Sequence, residues 1–242
     1  MAYSSILKPT DYFNTKLYTG NGSTQSITGV GFQPDLVWIK NTYTADGHHM
    51  YDVIRGATKR IRSDSSNAET TQSNGLTAFG TDGFTVGDMA GVNANTRTIA
   101  SWNWKAGTSF TNDASATGIG SIDSTGSVNT TSGFSIVSYT GTNANGTVGH
   151  GLGVAPKVII LKNRDTANSW CVGHGSLGFD KFLNLNETAA AGSDATYRFQ
   201  GTSPSSTVFS VGAAGETNGS SQEIIAYCFA EKSGYSSMGQ YT

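Results

Sequence analysis

The sequence predicts an all-β protein: two tandem β-sandwich repeats of jelly-roll or lectin-like kind, joined by a Gly/Ser/Thr-rich linker. Three observations predict it. First, the stretch Gly31-Phe32-Gln33-Pro34-Asp35-Leu36-Val37-Trp38-Ile39-Lys40-Asn41 returns as Gly153-Val154-Ala155-Pro156-Lys157-Val158-Ile159-Ile160-Leu161-Lys162-Asn163, at a constant offset of 122. Each copy is a short, β-branched apolar run after a proline, too short for a helix, and reads as a strand buried on both faces. Second, the chain has 31 Gly and only 4 Pro, a composition for many strands joined by tight turns. Third, segments such as Thr98–Lys105 alternate at period two, placing Ala100, Trp102 and Trp104 on one face.

In chain order, residues 1–11 read as an N-terminal arm. The first repeat spans 12–107. It opens with Tyr12–Tyr18 and the Asn21-Gly22 hairpin signal. Ser26–Thr28 leads to the central strand at Leu36–Lys40. Asn41–Gly47 is a polar loop. Strands follow at His48–Ile54, Lys59–Asp64, Leu76–Phe79, Phe84–Gly87 and Thr98–Lys105. Residues 108–131 are almost wholly small and polar, and read as a surface linker without a core of its own.

The second repeat spans 132–234 and follows the same order. Phe134–Gly141 opens it, and Val158–Leu161 is its central strand. Trp170–His174 stands where His48–Val53 stood. Phe209–Gly212 answers Phe84–Gly87 at offset 125, and Ile225–Phe229 is set against Ile99–Asn103 at offset 126. Residues 235–242 resemble the start of a third repeat, ending in Tyr241-Thr242 as the earlier hairpins carry Tyr18-Thr19 and Tyr139-Thr140. The aromatics Trp38, Trp102, Trp104, Phe84 and Phe209 are expected in the core.

Charge excludes several functions. Only 13% of residues are charged and the net charge is -2, which argues against nucleic acid as a partner. The cluster Lys59-Arg60-Ile61-Arg62 reads as the solvated face of a strand. No apolar run reaches the ~20 residues that span a bilayer, so no membrane insertion is expected. The N-terminal residues show no basic-then-apolar pattern, so no signal peptide is expected. Cys171 and Cys228 both fall in the second half and read as buried free thiols.

No catalytic residue, metal site or cofactor is expected. Gly173-His174-Gly175-Ser176 sets His beside Ser in a turn, not in a triad. The carboxylates Asp46, Asp52, Asp82 and Asp88 mostly stand in turn-like contexts, where Asp serves the backbone. Adjacent strand residues His48 and His49 point to opposite faces and share no ion with Asp46. Gly149-His150-Gly151-Leu152-Gly153 precedes a strand, so no helix dipole faces an anion there. Binding is better placed on the loops at one end of each sandwich. The candidate ligand-binding residues are Tyr43, Asp46 and His48 in the first repeat, with Arg164, Asp165, Asn168 and Trp170 in the second. Aromatic faces and Asp or Asn side chains stack on and hydrogen-bond sugars.

The two proline-led stretches, with Trp102-Asn103-Trp104-Lys105-Ala106-Gly107, Phe134–Gly141 and Gly149–Pro156, resemble a repeat of phage tail fibres and other virion-surface appendages, especially of phages of marine bacteria and cyanobacteria. The resemblance covers most of the chain. It implies a virion structural protein, not an enzyme: a tail fibre, head fibre or capsid decoration appendage on the particle surface that mediates host attachment. It also implies other virion proteins as partners and a homo-oligomer, with a trimer favoured. A bacterial surface glycan is the expected ligand. The alternative is a stand-alone glycan-binding module, and a capsule-degrading hydrolase is a minor third.

Overall fold

The computed structural model describes residues 4, 6–194 and 196–240. The chain is all-β, with antiparallel sheets, and divides into two compact units. One runs from Lys8 to Gly107. The other holds Thr108 onward, together with the described residues before Lys8.

The first unit contains β1 (Phe13–Thr19), β2 (Gln25–Thr28), β3 (Leu36–Asn41), β4 (His48–Asp52), β5 (Lys59–Arg62), β6 (Thr70–Thr71), β7 (Leu76–Gly80) and β8 (Gly83–Val86). A single helical turn, α1 (Ala90–Asn93), precedes β9 (Thr98–Trp104). The large sheet has the order β1-β9-β3-β4-β5-β6, and β2-β8-β7 form a smaller one. Val37, Ile39, Tyr51 and Ile99 from the large sheet meet Ile27, Leu76, Phe84 and Val86 from the small one in a single core. The packing is therefore sandwich-like, with β3 inside its sheet as its apolar run requires.

The second unit begins with β10 (Thr108–Asn112), the turn α2 (Ala114–Thr117), β11 (Ser124–Asn129) and β12 (Phe134–Thr140). It continues with β13 (Gly146–Gly149), β14 (Val158–Asn163), β15 (Cys171–His174), β16 (Lys181–Asn184) and β17 (Gly192–Ser193). β18 (Val208–Val211), the turn α3 (Gly215–Asn218) and β19 (Glu223–Phe229) complete it. Its large sheet reads β10-β11-β12-β19-β14-β15-β16-β17, and β13 pairs with β18. Its core gathers Val137, Tyr139, Ile159, Leu161, Ile224, Phe209 and Val211. Cys171 and Cys228 are buried free thiols.

Residues 108–131 are thus not a linker. β10 and β11 form a hairpin, and β11 pairs with β12 along Thr125–Asn129. One small residue, Gly126, answers a packing need. A side chain at Gly126 would place its Cβ 2.2 Å from the Ile136 carbonyl and 2.6 Å from the Phe110 ring. At Gly126, close approach of backbone to ring, not flexibility, accounts for the glycine.

Three further expectations are corrected. Residues 235–240 form no strand; a lone bridge joins Lys232 to Ser236, and Tyr241-Thr242 lie outside the described residues. The arm assigned to 1–11 is divided: Pro9–Asp11 form a 3-10 turn in the first unit, and Ile6, 5% exposed, packs with the second. Phe84 and Phe209 are core residues, but Trp38, Trp102 and Trp104 are half-buried on the opposite face of the large sheet. There Trp38 pairs with Trp102, and Phe13 sits 4.8 Å from Trp104, ring to ring. The core-facing residues of β9 are Ile99, Ser101 and Asn103. Asn103 is accommodated because its Nδ2 donates to the Asn14 carbonyl at 3.0 Å and to Ser101 Oγ at 3.1 Å.

The register also sets the correspondence between β9 and β19. Asn41 faces Ile99 and Asn163 faces Ile224. The offset is 125, from Ile99 to Ile224, and not 126. Trp102 therefore answers Tyr227, and Trp104 answers Phe229.

Two histidines are sealed in these cores. His49 is 5% exposed, and neither ring nitrogen has a hydrogen-bond partner. Burial, then Arg60 and Arg62, push its pKa down to about 4. His150 is fully buried, and burial likewise lowers it to about 4, against the opposing Ser205 carbonyl. Between the ordinary histidine value and about 4, the unfolded chain binds protons that the folded one refuses, so stability falls as pH falls. The expected loss is about 3 kcal/mol per histidine at full titration. Urea midpoints measured from pH 7 down to pH 4.5 should decline steadily, and a flat profile would contradict the burial of these rings.

Candidate functional site

The loop ends are built on the Lys-Asn pair that closes each central strand. Lys40 Nζ donates to the carbonyls of Asn41, Thr44 and Asp46 at 2.8, 2.9 and 2.6 Å. Lys162 Nζ donates to those of Asn163, Thr166 and Asn168 at 2.7, 3.3 and 2.9 Å. Each ammonium gathers the loop that follows its strand, and these charge-assisted bonds stiffen it. The asparagines finish the frame. Asn41 Oδ1 accepts from the Tyr43 amide at 3.0 Å, and Asn163 Oδ1 accepts from the Asp165 amide at 3.0 Å. Asn41 Nδ2 donates to the Ala90 carbonyl at 3.4 Å, and Asn163 Nδ2 donates to that of Gly215 at 2.6 Å.

A second shared pin holds the helical turns. Tyr18 Oη donates to the Val92 carbonyl at 2.6 Å, and Tyr139 Oη donates to the Thr217 carbonyl. Asn93 and Asn218 then clasp the neighbouring hairpins: their Oδ1 atoms accept from the amides of Asn21 and Thr142, and their Nδ2 atoms donate to the carbonyls of Ser23 and Ala144.

On this frame the first loop offers Tyr43, 66% exposed, with the Arg97 guanidinium 3.6 Å above its ring. Asp46 is turned inward: its Oδ2 accepts from Thr44 Oγ1 at 2.5 Å and from Asn41 Nδ2 at 3.1 Å. His48 Nδ1 accepts from Trp38 Nε1 at 3.0 Å, and the rings meet edge-on. Burial lowers the His48 pKa, with Asp64 opposing and Lys40 reinforcing the shift.

In the second loop, Asp165 Oδ2 accepts from the Glu223 amide at 2.7 Å, and Arg164 lies 3.6 Å from the Glu223 carboxylate. Asn168 Nδ2 donates to Thr166 Oγ1 at 2.7 Å. Trp170 does not belong to this surface. It is fully buried and stacked on Tyr227 with ring centroids 6.4 Å apart. It occupies the strand face that His48 occupies in the first unit, and there it packs as core.

The structure therefore presents Tyr43 openly, uses Asp46, His48 and Asn168 mainly as framework, and removes Trp170. Arg97 was not foreseen, because nothing in its neighbourhood of the sequence marks it as a stacking partner. Lys40 and Lys162 are marked in the sequence by their repetition, each before an asparagine.

The other carboxylates are engaged too. Asp82 accepts from the amides of Gly29 and Gly31, Asp88 from Asn74, and Asp52 from Arg55. His174 Nδ1 accepts from the backbone amide of Ser176 at 3.1 Å, which is turn chemistry. Among the described residues, no group of three His, Cys, Asp or Glu is placed to hold a metal ion, and no helix is long and apolar enough to cross a membrane.

Residues 8–242 match the model of a family described as Domain of unknown function (DUF7483). The chain belongs to the DUF7483 family. The match begins at Lys8, where the first compact unit begins. No curated protein and no solved structure matches the chain. The DUF7483 match spans both units, so both loop frames lie inside the family's extent.

Proposed function

We propose that this DUF7483 chain is a structural protein of a phage particle surface, a fibre or decoration appendage, built as one β-sandwich repeat written twice. The observation that carries the reading is the doubled frame. The lysine cages, the paired asparagines and the tyrosine pins recur in both units in the same topological places. A unit that repeats its internal bonds while varying its loops suits a modular appendage, which needs rigid spacing and changeable tips. The engaged carboxylates favour a non-enzymatic role over a capsule-degrading hydrolase. Other virion proteins are its partners in this reading, with a homo-oligomer, a trimer first, as the assembled form.

Immuno-electron microscopy of particles from a host that encodes the chain tests this. Label on heads or tails is the expected result, and label only in the soluble lysate fraction would contradict it.

A stand-alone glycan-binding module is the second reading, favoured by the exposed Tyr43 ring under Arg97. Tyr43→Ala is expected to change stability by less than about 0.5 kcal/mol, as an exposed substitution. On a glycan array it should remove any signal carried by this loop. Binding that survives the change would count against the Tyr43 loop as the contact.

A further inference from the structure

We infer that the bare edge of β1 pairs with β1 of a second copy of this chain, antiparallel and about a two-fold axis at Thr15. The inference goes beyond the reading above and does not depend on where the protein acts.

β1 ends the large sheet of the first unit, and β9 is its one sheet neighbour among the described residues. Lys105 N–H donates to the Tyr12 carbonyl, and Gly20 N–H to that of Arg97. Between these bonds the register is unbroken, from Phe13 opposite Trp104 to Thr19 opposite Thr98. The bonds to β9 therefore fall on Asn14, Lys16 and Tyr18, and the amides and carbonyls of Phe13, Thr15 and Leu17 point away from the sheet. Those backbone groups have no partner among the described residues. Thr15 and Leu17 are exposed, Leu17 at 67%.

The second unit has the same edge covered. There β12 answers β1: Tyr139 pins a helical turn as Tyr18 does, and it faces Ile224 as Tyr18 faces Ile99. Phe134, Ile136 and Ser138 thus take the places of Phe13, Thr15 and Leu17, and they pair with Asn129, Ser127 and Thr125 of β11. The fold of the unit therefore has room for a strand at this place. The edge in the first unit also lacks the usual guards. The other ends of the two large sheets are β6 and β17, of two residues each, and β10, of five, whereas β1 has seven. It carries no proline and no bulge. Its lysine, Lys16, lies on the opposite face from Leu17 and reaches toward Gly29, with Nζ 2.8 Å from where a Cβ on that glycine would stand.

A second β1 fits this edge. An axis at Thr15 sets Thr15 opposite Thr15, and Phe13 opposite Leu17 of the second copy. All three are outward-bonding residues, so each pair exchanges both backbone bonds. The threonine hydroxyls come within reach of each other, and the exposed Leu17 gains Phe13, whose ring sits 4.8 Å from that of Trp104. On the other face Lys16 meets Asn14. Moving the axis to Lys16 would set two ammonium groups opposite each other. Moving it to Asn14 would carry Leu17 past the strand to Asp11, in the 3-10 turn. Two-fold pairing uses up both edges and closes, so assembly stops at two copies. The contact makes a pair, not a trimer, the assembled form of the isolated chain.

Sedimentation velocity of the full chain, from about 1 to about 100 µM, tests this. The expected result is a reversible dimer of about twice the 25.3 kDa chain mass. Thr15→Pro removes an outward N–H and no bond to β9, so it should leave a folded monomer, with the circular dichroism spectrum unchanged. Leu17→Lys alters an exposed side chain and should weaken the dimer by about tenfold or more. Thr15→Cys should form a covalent dimer on oxidation. Leu17→Cys should not, because the two copies of that position stand about 13 Å apart along the strands. A monomer across the whole range, a trimer, a dimer that Leu17→Lys leaves equally tight, or equal cross-linking at the two positions would each overturn the proposal. If Thr15→Pro unfolds the chain, Leu17→Lys and the cross-links decide. The measurement uses the purified chain, so its failure stays distinct from a failure of the microscopy.

Discussion

Replacing Arg55 by alanine is expected to cost about 3–5 kcal/mol, because it breaks a buried ion pair from one side. The side chains of Arg55 and Asp52 are both fully buried, with Nε 2.5 Å from Asp52 Oδ2. The same guanidinium donates to the carbonyls of Lys59 and Met50, at 2.7 and 3.1 Å, and reaches Glu69 at 3.1 Å. It thus joins β4, β5 and the segment before β6. Alanine would leave the Asp52 carboxylate buried without its guanidinium partner, although the amides of Ile54 and Arg55 still donate to it. Urea unfolding followed by tryptophan fluorescence measures the loss in the first unit, where Trp38, Trp102 and Trp104 lie. A destabilisation below about 1 kcal/mol would mean that the pair is not sealed as described.

Trp170→Ala is expected to be as damaging, about 3–5 kcal/mol, through the cavity it leaves in the second unit. Its ring is fully buried against Tyr227, and its amide donates to Asn186 Oδ1 at 2.8 Å. Trp170→Phe should recover part of the loss, since it refills part of the space. A ligand-contact role would give the opposite pattern: near-normal stability with lost binding. Circular dichroism melts of the two variants beside wild type separate these outcomes.

The central strands were legible because a β-branched run between a proline and Lys-Asn has few other readings, and both lie inside their sheets. The face assignment of β9 was not legible. Alternation divides a strand into two faces without saying which meets the core. Three tryptophans suggest the core face, yet Ser101 and Asn103 occupy it, held by the bonds that Asn103 Nδ2 donates to the Asn14 carbonyl and to Ser101 Oγ, while Asn103 Oδ1 stays buried without a partner among the described residues. The 108–131 segment misled for a related reason. Composition cannot distinguish glycine used for freedom from glycine used for close packing, and Gly126 serves the latter. The loop candidates divided along the same line: Tyr43 is where the pattern put it, whereas Trp170 is hidden by a packing partner nearly sixty residues away in the chain, Tyr227.

Hydrogen–deuterium exchange across the intact chain tests the doubled frame most directly. Slow exchange is expected at matching places in both units: Val37–Ile39 with Ile159–Leu161, and the loop amides of Tyr43 and Asp165 that the asparagine side chains hold. Protection is also expected through Thr125–Asn129. Rapid exchange in that last segment, or protection of the strands in one unit alone, would contradict it.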